Sequence, residues 1–314
     1  MKKYCLGIDI GGTSIKSGLF DRQGVLLEKW SIPTRIEENG KHIIGDIKDS
    51  TDRKLESLGL DPGQLSGAGV GVPGQVSRQG EVLFAENLGW YHVPLTEELT
   101  RRLGMPVRTE NDANLAALGE MWKGSGSRCS NLLFVTLGTG IGCGIVADGR
   151  ILTGAAGAAG EIGHIHIEDR MTEKCNCGKS GCLEQLASGT GLRRMGEWAL
   201  ASSNEPSLLR EGEVSARTIF EAAAAGDSLA VWVAEQFGEY LGKALAICTC
   251  VLNPQAVLIG GGVSKAGEIV LDYIRKHYRK YAYPPCENTD FRLAALGGDA
   301  GIYGGARLMI EGGA

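Results

Sequence analysis

The segment LGIDIGGTSIKSGLFDRQGVLL, residues 6–27, decides the fold. Three short apolar runs, 4–10, 14–20 and 25–30, are separated by Gly11-Gly12-Thr13 and by Asp21-Arg22-Gln23-Gly24. Runs of this length bounded by glycine and aspartate turns predict consecutive antiparallel strands. The same grammar returns in LFVTLGTGIGCGIVADGRIL, residues 133–152, with Gly138-Thr139-Gly140 and Asp148-Gly149 at the turns. A supersecondary unit written twice points to duplication, and so to an α/β chain of two related domains facing each other. In the first turn two glycines expose backbone N–H groups, Thr13 adds a hydroxyl, and Asp9 stands by as an outer-shell partner for a phosphate-bound Mg²⁺. The turn lacks the GxxxxGK[ST] of a P-loop, and a strand rather than a helix follows it. Taken singly it serves equally as a plain hairpin. Two such turns could grip one polyphosphate from opposite sides, and that pairing is the specific signal.

Between the copies, periodicity predicts a helix over 42–58, a strand over 68–72 ending in Pro73-Gly74, a Gly-rich polar stretch, a helix over 95–103 and a strand over 107–110. A helical pattern over 113–122 follows, so Asn111 and Asp112 lie where a strand meets a helix N-terminus. Capping is the commonest use of Asn and Asp at such a place. After the second copy come expected helices over 191–201, 215–225 and 229–252. A buried strand over 256–259 then leads through Gly260-Gly261-Gly262 to a helix over 267–281, a pattern that brings backbone close to a ligand, often a nucleotide. The tail over 296–310 repeats Gly and Ala before a closing helix whose small residues allow close packing.

Residues 160–184, GEIGHIHIEDRMTEKCNCGKSGCLE, gather His164, Cys175, Cys177 and Cys182 in one loop-rich stretch with Glu161 and Glu184. Four soft or borderline ligands suit a tetrahedral structural zinc ion, and Asn176, Gly178 and Gly181 supply the backbone freedom that a tight loop round an ion requires. Reduced loop cysteines are the alternative, but loops rarely carry cysteines this densely without a metal or disulfide.

The 314 residues are enough for two ordinary domains, and 43% hydrophobic with 22% charged residues is the balance of a soluble globular chain. No run approaches the roughly 20 apolar residues of a membrane span, and the N-terminal run is too short for a signal peptide. Nine cysteines, several single in apolar runs, suit buried thiols in a reducing compartment, so a cytoplasmic protein is expected. A net charge of −5 without a basic cluster argues against nucleic-acid binding. The 48 glycines, about twice the usual share, fall in clusters beside strand-like runs and read as tight turns.

The motifs DIGGTSIK (9–16), VPG (72–74), NLGW (87–90), ENDAN (110–114), LGTGIG (137–142), GEIGH (160–164), CNCGKSGCLE (175–184) and GGGVS (260–264) resemble, in order, those of the ROK sugar kinases. That family lies within the actin/hexokinase/Hsp70-like superfamily, and the resemblance covers about residues 4–306. It implies a duplicated actin/hexokinase-like (ribonuclease H-like) fold with a cleft between two lobes. The expected division is a small α/β domain over 1–120, joined by the closing helix over about 298–314, and a large α/β domain over 121–297 carrying the zinc loop. The wording of the cysteine loop and of residues 18–35 is nearest to the family's bacterial glucokinases, which implies ATP-dependent phosphorylation of glucose. On that resemblance Asp112 is the catalytic carboxylate that takes the proton of the sugar hydroxyl, the chemistry phosphoryl transfer asks for. Gly74, Asn87, Asn111, Glu161, His164 and Glu184 are the implied sugar-binding residues. Asp9, Gly11, Gly12, Thr13, Lys16, Gly138, Thr139, Gly140, Gly261 and Gly262 are those for Mg-ATP. His164 would hold zinc through one ring nitrogen and a sugar hydroxyl through the other. A homodimer is the family expectation. Another hexose, such as N-acetylmannosamine, N-acetylglucosamine, allose or fructose, is the alternative substrate. The family's sugar-sensing repressors carry a helix-turn-helix domain before the first phosphate turn, for which a DIGG starting at residue 9 is expected to leave no room.

Overall fold

The computed structural model describes residues 2–311. In chain order it runs β1 (Tyr4–Ile10), β2 (Ser14–Asp21), β3 (Leu26–Pro33), a short turn α1 (Glu37–Gly40), α2 (Ile43–Ser57), β4 (Leu65–Val72), β5 (Gln75–Val76), β6 (Val82–Ala85) and β7 (Trp90–Val93). There follow α3 (Leu95–Leu103), β8 (Val107–Asn111), α4 (Asp112–Lys123), β9 (Leu132–Leu137), β10 (Ile141–Ala147) and β11 (Arg150–Ile151). The rest is largely helical: α5 (Leu183–Ala187), α6 (Gly189–Ser202), α7 (Ala216–Ala224), α8 (Ser228–Leu252), β12 (Ala256–Gly260), α9 (Glu268–Tyr281), β13 (Asp290–Leu293) and α10 (Ala300–Glu311). Residues 312–314 of the expected closing segment lie outside the described residues.

Two five-stranded sheets have the same strand order, β3-β2-β1-β4-β8 and β11-β10-β9-β12-β13. In the first, β1, β2 and β3 are antiparallel while β1, β4 and β8 are parallel. In the second, β9, β12 and β13 are parallel and β10 pairs antiparallel with β11. One topology built twice is what the repeated motif predicts. By contacts the chain forms two units: one of the chain up to Arg128 with Gly144–Ala159 and the chain from Gly298, the other of Cys129–Cys143 and Gly160–Gly297.

In the first unit Leu6, Ile8, Ile10, Val70 and Val72 are fully buried, as parallel strands covered on both faces must be. Helix α2 turns Ile43, Ile47, Thr51 and Leu55 inward, and α3 turns Leu95, Leu99 and Leu103, the i, i+4 stripe of a one-sided helix. Helix α10 lies so close on β1 and β4 that a Cβ at Gly7 would sit 1.8 Å from Ile302 O, and one at Gly69 2.0 Å from Gly305 O. Small residues in the tail are therefore a packing requirement: backbone meets backbone.

The stretch after Pro73, expected as polar loop, instead holds a three-stranded sheet of order β5-β6-β7. Its strands are two to four residues long, too short for a periodic signal, and it is tied by the cross-strand pair Phe84–Tyr91 with centroids 5.2 Å apart. Strand β13 also escapes the sequence pattern, because of its four residues only Phe291 is buried.

Candidate active site

Asp9, the turn Gly11-Gly12-Thr13, Gly74, Asn111 and Asp112 lie at or just past the C-terminal ends of the parallel strands of the first unit, where open α/β sheets bind ligands, whereas Lys16 is on β2 and Asn87 in the small sheet's turn between β6 and β7. Register puts Asp9 opposite Gly71, Gly71 opposite Glu110, and Val72 opposite Asn111. The first glycine turn is pinned from below: Thr34 donates its N–H to Thr13 O (3.0 Å) and its hydroxyl to Gly11 O (2.6 Å). Gly12 and Thr13 are exposed, and a Cβ at Gly12 would meet no atom within 4 Å, so open space lies above the turn.

Asp9 sits beneath the start of α10, where a Cβ on Gly301 would come 2.7 Å from its Cγ. Burial raises its carboxyl from 3.8 to about 6; nearby Lys16 pulls it back down, and Asp299 pushes it up. Lys16 donates to Gly298 O (2.6 Å), and Asp299 pairs with Lys29 (2.6 Å). A carboxyl whose folded pKa is raised makes the native state lose stability as pH rises from 3.8 to about 6, because the folded chain must then hold a buried charge. Asp9→Asn, which mimics the protonated form, is therefore expected to stabilise the chain at neutral pH by on the order of 2–3 kcal/mol. Denaturant melts at neutral pH and below the usual value of 3.8 check this. The gain should disappear in acid, and equal stabilities at neutral pH would refute the buried charge.

Asn111 caps α4: its Oδ1 accepts from Asn114 N (3.1 Å), while its Nδ2 donates to Gly74 O (3.0 Å). Gly74 has φ +103, and a Cβ there would strike Phe84 O at 2.1 Å, so only glycine brings that carbonyl to Asn111. Asp112 opens α4, with its Oδ1 accepting from Ala113 N (2.8 Å). Capping and a place in the site are thus compatible for the Asn-Asp pair. Asn87 is exposed in the short turn before β7.

In the second unit, Gly138 N donates to Gly140 O (3.0 Å), and Gly138 O accepts from Gly189 N (2.8 Å) at the start of α6. Gly260 pairs in register with Thr136, so the Gly-rich turn after β12 lies beside the turn after β9. Gly261, at φ +84, packs where a Cβ would be 2.5 Å from Leu137 O. Thr139, Gly261 and Gly262 are exposed. The absence of a side chain at Gly140 admits Glu184, whose Oε2 would be 2.6 Å from a Cβ there.

His164, Cys175, Cys177 and Cys182 each place one ligand atom within 4.8 Å of all the others. Cys177 Sγ is 3.5 Å from Cys182 Sγ, and Cys175 Sγ is 3.6 Å from His164 Nδ1. Sulfurs about 2.3 Å from a tetrahedral zinc ion stand about 3.8 Å apart, so the four atoms fit such an ion with small adjustments. The loop is knit by Gly178 N to Cys175 O (2.8 Å), Cys175 N to Lys179 O (2.7 Å) and Leu183 N to Ile165 O (2.9 Å). The Lys179 N–H lowers the pKa of the Cys177 thiol, whereas burial raises those of Cys175 and Cys182. On the far side of the ring, His164 Nε2 lies 3.9 Å from Glu161 Oε2. Glu184 Oε1 accepts from the Cys175 thiol (3.1 Å).

Residues 5–311 match the family described as ROK. This chain belongs to the ROK family. The ROK chain is 42% identical to a glucokinase of Halalkalibacterium halodurans over 98% of its own length and 96% of the relative's. It resembles the crystal structure of a ROK family glucokinase from Streptomyces griseus in complex with glucose and AMPPNP, with a TM-score of 0.77 and 36% identity over 97% and 98% of the two chains. It also resembles a ROK family transcriptional regulator, a homologue of the E. coli MLC protein, with a TM-score of 0.86 and 30% identity over 99% of this chain and 78% of that one. The fold is the duplicated α/β fold of the actin/hexokinase-like ROK proteins. Three polar residues beside the expected ones went unread in the sequence as site residues: Glu110 and Asn114 next to Asn111, and Asp299 next to Asp9. The first two lie within ENDAN, flanking the residues that drew attention; nothing local marks Asp299, some 290 residues from its neighbour.

Proposed function

We infer that this ROK chain is an ATP-dependent glucokinase, which moves the γ-phosphoryl group of ATP to the 6-hydroxyl of glucose. The observation that carries the reading is full-length likeness to glucokinases, 42% in sequence to one and close in structure to another determined with glucose and AMPPNP. Asp112 is the proton acceptor. As sugar O6 bonds to the γ-phosphorus and the bond to the β–γ bridging oxygen breaks, the hydroxyl proton passes to the Asp112 carboxylate and ADP leaves. It stands on the first turn of α4, and helix N-termini favour negative charge. Glu161, His164 and Glu184, with Asn87, Asn111 and Gly74, hold sugar hydroxyls, a mixture of donors and acceptors matched to a polyhydroxyl ring.

The exposed turns at Gly11-Gly12-Thr13 and Gly138-Thr139-Gly140 offer N–H groups to phosphates, and Gly261 and Gly262 lie against adenosine. Asp9, an acid beside an open glycine turn, would help to hold the Mg²⁺ that comes with ATP, which would supply neutralisation of phosphate charge. Lys16 helps to hold the phosphates. His164, Cys175, Cys177 and Cys182 hold a structural zinc ion whose part is to fix the loop carrying Glu161 and Glu184. The protein is placed in the cytoplasm, a reading supported by nine free cysteines, six of them buried. No helix among the described residues is long and apolar enough to cross a membrane. It is placed as a homodimer, a reading that the exposed Trp232, Ile247 and Val251 of α8 support.

A coupled assay of ADP release with Mg-ATP, run over glucose, mannose, fructose, N-acetylmannosamine, N-acetylglucosamine and allose, tests the reading. Glucose is expected to give the highest kcat/KM. A higher value for an acetamido sugar or allose would move the assignment to another hexose, since sugar choice hangs on pocket shape around one substituent. If no sugar yields ADP, either the phosphoryl donor is not ATP or the kinase reading itself fails.

A further inference from the structure

The ENDAN motif supplies Asn111 and Asp112 to the proposed chemistry, and its other two polar residues, Glu110 and Asn114, have no part in it so far. Glu110 Oε1 accepts both the Asn111 N–H (2.8 Å) and an Asn114 Nδ2–H (3.0 Å). Asn111 Oδ1 in turn accepts from Asn114 N (3.1 Å), and Asn111 Nδ2 reaches Gly74 O (3.0 Å). These bonds close rings around the junction where β8 becomes α4, so the residues flanking the Asn-Asp pair are bonded to each other across it.

Asn114 is 3% exposed, yet its Oδ1 has no hydrogen-bond partner. A flipped amide would press that oxygen against Glu110 Oε1, so the orphaned oxygen follows from aiming Nδ2 at Glu110. A buried amide with one atom unsatisfied is a poor choice for packing alone, where an apolar residue of like size loses nothing. Glu110 is half-buried, and desolvation raises its carboxyl pKa even though both hydrogen bonds favour the charged form.

We propose that Glu110 and Asn114 are positioning residues for phosphoryl transfer, locking the strand-to-helix junction so that the Asp112 carboxylate is aimed before the sugar arrives. The inference rests on Asp112 being the proton acceptor. Misplacement of a reacting group by about 1 Å costs on the order of 10²-fold in rate, so a loosened junction should be read in kcat.

The experiment compares Glu110→Ala, Glu110→Gln, Asn114→Ala and the double alanine variant with the unaltered chain, measuring kcat, the KM values for glucose and ATP, and Tm. Both single alanine variants are expected to lose roughly 10–100-fold in kcat with the ATP KM unchanged. Glu110→Gln, whose amide oxygen still accepts both bonds, should recover most of the loss. The double variant should be no worse than the worse single one, as for parts of one unit. Wild-type turnover in both alanine variants would overturn the proposal, as would a glutamine variant as poor as the alanine one, or a loss that only follows Tm. Should Glu110→Ala fail to fold, Asn114→Ala carries the test, because alanine favours the helix it enters. Asp112→Asn is assayed alongside: if it stays active, the proton-acceptor reading fails and this inference with it. If it is inactive while Glu110→Ala and Asn114→Ala behave normally, only the positioning role is lost.

Discussion

Replacing Asp112 with Asn is expected to leave glucose binding largely intact and to lower kcat by ~10²-fold or more, the scale of a lost general base. The amide keeps the size of the carboxylate and can still accept the Ala113 N–H that Oδ1 now receives at 2.8 Å, so helix α4 should start where it does today. What the amide cannot do is take a proton at neutral pH. The effect should therefore fall on kcat and on kcat/KM equally, the sign of an interaction made only in the transition state. Glucose titration followed by tryptophan fluorescence, alongside steady-state rates, separates the two. Near-normal turnover would remove Asp112 from its role, and lost binding would make it a sugar ligand instead.

Cys177→Ser is expected to act on the same reaction from a distance. One zinc ion per chain should be found by elemental analysis in the unaltered protein, with a much lower content in the variant, because the serine hydroxyl is not ionised at neutral pH. Once the ion is gone, the Cys175–His164 pair and the contact at position 177 with Cys182 keep only weak direct contacts and the loop's backbone hydrogen bonds, and the knuckle from Cys175 to Cys182 loosens. Glu161, His164 and Glu184 lie in or beside that loop, so the glucose KM should rise by about 10–100-fold, with little change in the ATP KM. Chelation of the unaltered protein should reproduce the effect, and added Zn²⁺ should reverse it. A metal-free preparation of full activity would refute the metal reading.

The fold was legible where the chain repeats itself. The segments 6–27 and 133–152 share turn chemistry as well as apolar runs, and that double agreement is why two sheets of one strand order could be read from them. Long helices were legible for the same reason: α3 occupies Leu95–Leu103 as its leucine spacing predicts, and α8 ends at Leu252 before Asn253, whose φ of +44 closes it. The small sheet of β5, β6 and β7 was hidden because two- to four-residue strands carry no period. Among the candidate residues, the His/Cys quartet is nearly contiguous in sequence and so was visible, whereas Asp299 and Asp9 stand some 290 residues apart. Glu110 and Asn114 stood in plain view, but their partners are each other and a backbone N–H, and only the folded chain reveals such a pairing.

The close seat of α10 on β1 and β4 bears on how the chain is made. Cys5 donates its thiol to Ala306 O (3.8 Å), and Gly7 and Gly69 are shaped to receive Ile302 and Gly305. On the ribosome these partners emerge after the whole second unit. The interval from the end of α4 to the start of α10, at 5–20 residues per second, is on the order of 10–40 s. Throughout it, the first-made sheet exposes a bare glycine-lined face, while the second unit is complete once Gly297 has emerged. Vectorial synthesis therefore reverses the order of maturation: the half translated first is the half finished last.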